Sequence, residues 1–179
     1  SFCKSKNQKL WEECLIEFSK IKKNILMKLK TTPQKYHCMG HLPLIYFLVR
    51  CYQPEKIIET GVAVGCSSET ILQAIKKNNK GLLYSSELPY FKIDKPEKFI
   101  GFVVSNELKN LWKLDIRGDH YALDEFINIC SKIDFFHYDS DKSFRGRDFV
   151  MRKISKHFNP NATVIMDDIK DNVFFKNFV

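Results

Sequence analysis

Several features that would mark other protein classes are missing from this chain of 179 residues. No apolar run approaches the roughly 20 residues of a membrane-spanning helix, because charged residues interrupt every run. The polar residues 1–9 do not resemble a secretory signal peptide. The six cysteines form no Cys-x-x-Cys pair and no regular spacing, which argues against zinc and against disulfides. We therefore expect a cytoplasmic protein without membrane contact, whose cysteines are small buried residues.

The composition fits one globular domain. Hydrophobic residues make up 44% of the chain and charged residues 28%, enough for a core and a hydrated surface. The net charge of +8 would suit a polyanionic partner such as nucleic acid. The lysines are spread along the whole chain without forming a patch, so a nucleic-acid partner is disfavoured.

Residues 1–53 carry two helical patterns. Apolar residues recur at steps of three or four from Leu10 to Leu29, which predicts an amphipathic helix. A second helix is expected over residues 42–51. We predict that residues 1–53 form an N-terminal helical segment that packs on a core of residues 54–179.

Strand and helix patterns alternate in the rest of the chain. Strands are predicted at residues 56–60, 82–87, 111–117, 133–138 and 162–167. Helices are predicted at residues 67–78, 105–110, 121–131 and 145–158, with another beginning near residue 171. Continuous apolar runs suit strands that are covered on both faces. The alternation predicts an α/β fold, a doubly wound parallel sheet with crossover helices, and the loop 88–101 is expected to border a site.

A glycine-rich turn after the first strand predicts a nucleotide-like ligand. Glu59 ends the apolar run, Gly61 and Gly65 form the turn, and Ser67 or Ser68 can cap the next helix. The dinucleotide fingerprint Gly-x-Gly-x-x-Gly is missing, and so is the lysine of a phosphate-binding loop. A pyrophosphate ligand is therefore disfavoured.

The pattern Glu-x-Gly-x-x-x-Gly-x-Ser resembles motif I of the class I S-adenosylmethionine-dependent methyltransferases. An acid near the turn suits the cationic sulfonium of that cofactor. The resemblance implies that Glu87 accepts hydrogen bonds from the ribose hydroxyls and that Gly118 and Asp119 lie beside the adenine. The cofactor-binding residues would be Glu59, Gly61, Gly65, Ser67, Glu87, Gly118, Asp119 and Asp139. The alternative is structural: Glu59 and Glu87 are ordinary acids, and Asp119 caps a helix.

An acid cluster follows the fourth and fifth strands. It consists of Asp139, Asp141, Asp167 and Asp168. Parallel strands end at one edge, so these carboxylates are expected to share a cleft with the glycine turn. Hard oxygen ligands suit Mg²⁺ or another divalent cation. His137, inside the fourth strand, is expected to be a core residue rather than a ligand.

The acid cluster resembles that of the metal-dependent catechol-type O-methyltransferases. By position, the metal ligands would be Asp139, Asp167 and Asp168. Lys142 would remove the proton from the acceptor hydroxyl, so that Asp139 and Lys142 form the catalytic pair. Asp168 stands where that family usually has Asn, and Asp141 is an additional acid, which leaves the metal open. The same acids could cap helices, and Lys142 could simply pair with one of them.

Residues 133–147 and 164–172 resemble the methyltransferase domain 24 group of class I methyltransferases. The resemblance implies a Rossmann-like sheet of order 3-2-1-4-5, with the final antiparallel pair of the class missing and an exposed edge that would allow a homodimer. We interpret the chain as an S-adenosylmethionine-dependent methyltransferase acting on oxygen of a small-molecule or sugar-like acceptor, with or without a divalent metal. Two alternatives stay open, a non-catalytic domain that binds the cofactor or a partner and an RNA methyltransferase.

Overall fold

Five parallel strands in the order β3-β2-β1-β4-β5 form the central sheet. The computed structural model describes residues 2–32, 41–89 and 94–178. The strands are β1 (Lys56–Thr60), β2 (Leu82–Ser86), β3 (Trp112–Asp115), β4 (Ile133–Tyr138) and β5 (Phe158–Met166). This order confirms the predicted doubly wound sheet.

Helices precede the sheet and connect its strands. They are α1 (Phe2–Leu29), α2 (Leu42–Tyr52), α3 (Cys66–Asn78), α4 (Asp119–Cys130), α5 (Phe144–Ile154) and α6 (Phe174–Phe178). Short 3₁₀ helices span Pro96–Lys98, Asn106–Leu111 and Ser155–His157. None of the helices in the described ranges is long and apolar enough to cross a bilayer.

Both faces of the sheet are covered. Ile57 of β1 belongs to a core cluster formed with α1, α2 and α3. Its neighbour Ile58 points to the opposite face and belongs to a cluster formed with α4 and α5. Strands buried on both faces explain the continuous apolar runs of the sequence. The division of the chain at residue 53 stays a prediction, although α1 and α2 share a core with β1.

Most elements differ from their predicted bounds by one or two residues; β3 is limited to Trp112–Asp115 instead of 111–117, α5 ends at Ile154 instead of residue 158, and three further differences are larger or change the type of element. β5 begins at Phe158 instead of residue 162, because Pro160 is tolerated in an edge strand, where a missing N–H can face the open side. Residues 105–110 form a 3₁₀ helix instead of an α-helix, and α6 starts at Phe174 instead of near residue 171. Of the predicted loop 88–101, residues 90–93 lie outside the described ranges.

The cysteines of the described residues fall into two groups, and Cys38 lies outside the described ranges. Cys3, Cys14, Cys51 and Cys130 are free thiols, and burial raises the pKa of Cys14 and Cys130 to about 11. Such buried thiols are chemically inert. Cys66, at the start of α3, is disulfide-bonded. The expectation that no cysteine forms a disulfide was therefore wrong for Cys66.

Candidate active site

A cleft of about 1020 Å³ lies at the carboxyl edge of the sheet. Open α/β sheets bind their ligands at this edge. Five of the predicted cofactor residues line the cleft, namely Gly61, Glu87, Gly118, Asp119 and Asp139. Glu59, Gly65 and Ser67 are not among its lining residues. The turns after β1, β2, β3 and β4 thus meet at one cavity.

The two glycines of the β1 turn are required by the protein's own packing. Gly61 has a φ of +84°, and a Cβ there would lie 2.4 Å from the backbone oxygen of Asp139. Gly65 has a φ of +91°, and a Cβ there would lie 2.8 Å from Cα of Gly101. Only glycine combines this backbone conformation with such close approach. The turn is therefore held against the end of β4 even before any ligand is considered.

Glu59 lies behind the turn, with none of its surface exposed. The sheet register places Glu59 between Ser85 and His137, so the three side chains share one face. The hydroxyls of Ser68 and Ser85 donate to its Oε2 at 2.6 and 2.8 Å, and Nδ1 of His137 lies 3.3 Å from its Oε1. Burial alone would raise the pKa of Glu59, but hydrogen bonds from His137 and the α3 serines outweigh it and lower the pKa. Glu59 thereby ties β1 to β2, β4 and α3.

Glu87 follows β2 and faces the cleft. Its Oε2 accepts hydrogen bonds from the backbone N–H of Val62 at 2.7 Å and of Ala63 at 2.5 Å. Its Oε1 accepts from the backbone N–H of Leu88 at 2.9 Å. The carboxylate is therefore held against the glycine turn by neutral donors.

Asp119 connects the ends of β2 and β4. Ser86 donates to its Oδ1 at 2.5 Å, and Ser140 donates to its Oδ2 at 2.6 Å. Asp119 is the first residue of α4, and Gly118 precedes it as the cap residue. Asp119 therefore does not cap the helix, and its carboxylate remains at the cleft wall.

Lys142 occupies the middle of the acid cluster. Its Nζ donates to Oδ1 of Asp139 and lies 3.3 Å from Oδ2 of Asp168. Oδ1 of Asp167 accepts the backbone N–H of Asp168 at 3.0 Å. Burial raises the pKa of Asp139, and the neighbouring ammonium opposes that rise. Within the described ranges, no group of three or more His, Cys, Asp or Glu side chains is arranged to hold a metal ion.

Arg147, on α5, was not among the predicted site residues. It is fully buried, and its Nη2 donates to the backbone oxygen of Asp168 at 2.8 Å. Its guanidinium lies 5.9 Å from the ring centre of Tyr138. Its Nε and Nη1 have no hydrogen-bond partner among the described residues. The burial of Arg147 could have been predicted from the sequence, because residues 147, 150, 151 and 154 follow helical spacing and share the buried face of α5.

Comparison with known proteins agrees with this architecture. A family model described as a methyltransferase domain matches residues 58–169. No curated protein matches the chain.

The similar solved structures are also methyltransferases by description. An O-methyltransferase candidate from Klebsiella pneumoniae has a TM-score of 0.62 at 16% identity, over 87% of this chain and 66% of that one. The methyltransferase PaMTH1 from Podospora anserina, bound to S-adenosylhomocysteine, has a TM-score of 0.59 at 13% identity, over 83% and 62%. An O-methyltransferase from Bacillus cereus, also in complex with S-adenosylhomocysteine, has a TM-score of 0.59 at 18% identity, over 91% and 67%.

At these identities the structural likeness concerns the fold, and the chain spans about two thirds of the length of these structures. The family match covers more than half of the chain, from β1 to the residues after β5. The chain belongs to the methyltransferase domain 24 group of class I S-adenosylmethionine-dependent methyltransferases.

Proposed function

We propose that this protein binds S-adenosylmethionine in the cleft and transfers the methyl group to an oxygen atom of a small-molecule or sugar-like acceptor. The observation that carries the proposal is the convergence of Glu87, Asp119 and Asp139 on one cleft beside the β1 turn. Two solved structures with this fold bind S-adenosylhomocysteine, which supports the choice of cofactor.

The side chains of the cleft fit a cationic cofactor. No Lys or Arg of the described residues forms an ion pair with Glu87 or Asp119, so their negative charge is available to a ligand. The two cations that line the cleft, Arg117 and Lys153, are paired with other acids, so the acids without a cationic partner attract a sulfonium cation and repel a pyrophosphate. Glu87 would hold the ribose hydroxyls, and Gly118 with Asp119 would lie beside the adenine. The remaining predicted cofactor residues, Glu59, Gly65 and Ser67, would contribute indirectly by fixing the conformation of the β1 turn.

The pair of Asp139 and Lys142 suits a hydroxyl acceptor. When bound, the cofactor supplies an electrophilic methyl group. The carboxylate of Asp139, at the cleft wall, can orient an acceptor hydroxyl, and the same carboxylate can take up the proton of that hydroxyl as the oxygen becomes nucleophilic. The ammonium of Lys142 beside it stabilises the negative charge that develops on that oxygen. No step is assigned to a metal ion, because Lys142 already contacts two of the three predicted ligands.

Calorimetry with S-adenosylhomocysteine and transfer of a labelled methyl group to a panel of hydroxyl compounds test this function. We expect Asp139→Asn to abolish transfer while S-adenosylhomocysteine affinity is retained. Asp148→Asn is the matched control, because Asp148 pairs with Arg152 on the surface of α5 and does not line the cleft. Absence of cofactor binding in the wild-type protein would refute the proposal. Binding without transfer would favour the non-catalytic alternative.

A further inference from the structure

The acid cluster contains its own cation. We propose that the ammonium of Lys142 occupies the place that a divalent metal would take between Asp139, Asp167 and Asp168, so that the wild-type protein takes no divalent metal there. The chemical importance of this replacement rests on the proposed function. The test of this proposal measures metal binding alone and needs neither cofactor nor acceptor.

One oxygen atom of each predicted metal ligand is already engaged within the protein. Lys142 donates to Asp139 and approaches Oδ2 of Asp168 at 3.3 Å, while Oδ1 of Asp167 accepts a backbone N–H. A divalent ion binds carboxylate oxygens at about 2.0–2.6 Å. To use Oδ1 of Asp139 and Oδ2 of Asp168, it would have to displace the ammonium of Lys142. Each predicted ligand therefore has at least one oxygen committed within the protein.

Arg147 is a second and independent observation. It is buried behind the acid cluster and forms no ion pair with Asp or Glu among the described residues. A buried guanidinium without a carboxylate partner is costly in a neutral surrounding. Its Nη2 instead donates to the backbone oxygen of Asp168, which places this positive charge beside the acid cluster. The cluster thus has two fixed positive charges, and a divalent ion would be repelled by both.

Arg147 also orients the ligand that Lys142 contacts. Asp168 has a φ of +51°, which is an unfavourable conformation for a non-glycine residue. The hydrogen bond from Nη2 of Arg147 to the backbone oxygen of Asp168 holds this conformation. The side chain of Asp168 is thereby presented to Lys142. In the proposed reaction, the positive charge beside the acceptor oxygen comes from Lys142, and added metal is not needed.

The test is a titration of the full chain with Mn²⁺. Binding is monitored by calorimetry and by the electron paramagnetic resonance signal of free Mn²⁺. We expect no binding by the wild type below about 1 mM, the weak end of protein sites for divalent cations. Lys142→Met removes the internal cation and should tighten Mn²⁺ binding at least about tenfold, because Asp139 and Asp168 then lack their nearest counter-charge. Lys142→Arg keeps the charge and should behave as the wild type. Lys170→Met, on the loop after β5, controls for loss of any nearby lysine.

Tight Mn²⁺ binding by the wild type would overturn the proposal, and so would Lys142→Met binding no better than Lys142→Arg. Thermal unfolding of each variant verifies that it folds. If Lys142→Met does not fold, Lys142→Gln is used instead, and its Mn²⁺ binding is interpreted in the same way. S-adenosylhomocysteine binding is measured on the same samples. A wild type that binds no cofactor would refute the proposed function and leave the metal result valid.

Discussion

The two halves of the sheet's carboxyl edge hold their acids in different ways. On the β1–β2 half, Glu59 and Glu87 accept hydrogen bonds from serine hydroxyls, a histidine and backbone N–H groups. On the β4–β5 half, Asp139 and Asp168 contact the ammonium of Lys142. The backbone donors around Glu87 leave its negative charge available to a ligand, whereas the ammonium of Lys142 cancels the charge of its partners. The first half therefore suits a cationic cofactor, and the second suits proton transfer at a neutral acceptor.

The largest effect is expected at Glu59, where two serine hydroxyls and an imidazole hold a fully buried carboxylate. Glu59→Ala leaves Ser68, Ser85 and His137 without their common acceptor. Each unpaired buried group costs about 1–3 kcal/mol, so the free energy of unfolding should fall by about 3 kcal/mol or more. Urea denaturation followed by circular dichroism measures the loss. Glu55→Ala, at an exposed ion pair with Lys80, should change stability by less than about 1 kcal/mol. Equal losses of unfolding free energy in both variants would show that Glu59 has no special structural role.

The same carboxylate makes stability depend on pH in a defined direction. The pKa of Glu59 lies below its ordinary value of 4.5 in the folded protein, so the unfolded chain binds this proton more readily. The stabilisation is complete above the ordinary pKa and is lost as the pH falls through the folded value. Glu59→Gln cannot titrate, and its stability deficit relative to the wild type should shrink as the pH falls below the ordinary value of 4.5. A deficit that grows toward acid would mean that the folded pKa is raised.

Glu87 tests whether the first half of the edge binds the cofactor. Glu87→Ala should weaken S-adenosylhomocysteine binding by about 1–3 kcal/mol, through the loss of charge-assisted hydrogen bonds. Calorimetry gives the affinity. Glu107→Ala is the control, because Glu107 lies on a separate 3₁₀ helix that follows Glu87 in the sequence. Unchanged affinity in Glu87→Ala would remove Glu87 from the cofactor site. It would also contradict the proposal that the first half of the edge binds the cofactor and thereby differs from the second half.

Much of the fold was predictable because its strands are bounded by clear signals. The bounds of β1 and β4 match their predicted ranges, since each is a short segment centred on adjacent Ile or Phe residues that ends where glycine or Asp and Ser begin. β5 was predicted too short because Pro160, between two asparagines, is typical of a turn. Its place at the sheet edge, which permits the proline, depends on strand order and not on local sequence.

The site was predictable in its residues but not in their partners. The motif identified Glu59 and Glu87 equally, yet only Glu87 lines the cleft. Which face Glu59 occupies depends on the register of β1 with β2 and β4, and parallel pairing carries no local signal for that register. The contact of Lys142 with Asp168 joins two separate loops, so it follows from tertiary structure alone.

The smallest effect is expected at Arg147, where the second half of the edge buries a cation. Arg147→Met keeps much of the side-chain volume and removes Nε and Nη1, which lack partners among the described residues. It loses one hydrogen bond to the Asp168 carbonyl and a contact with the Tyr138 ring, but it also ends the cost of burying a charge. We expect these changes to offset each other to within about 1 kcal/mol in urea denaturation. A loss as large as that of Glu59→Ala would show that the aspartates depend on Arg147 as their counter-charge, and both halves of the edge would then rely equally on buried charge.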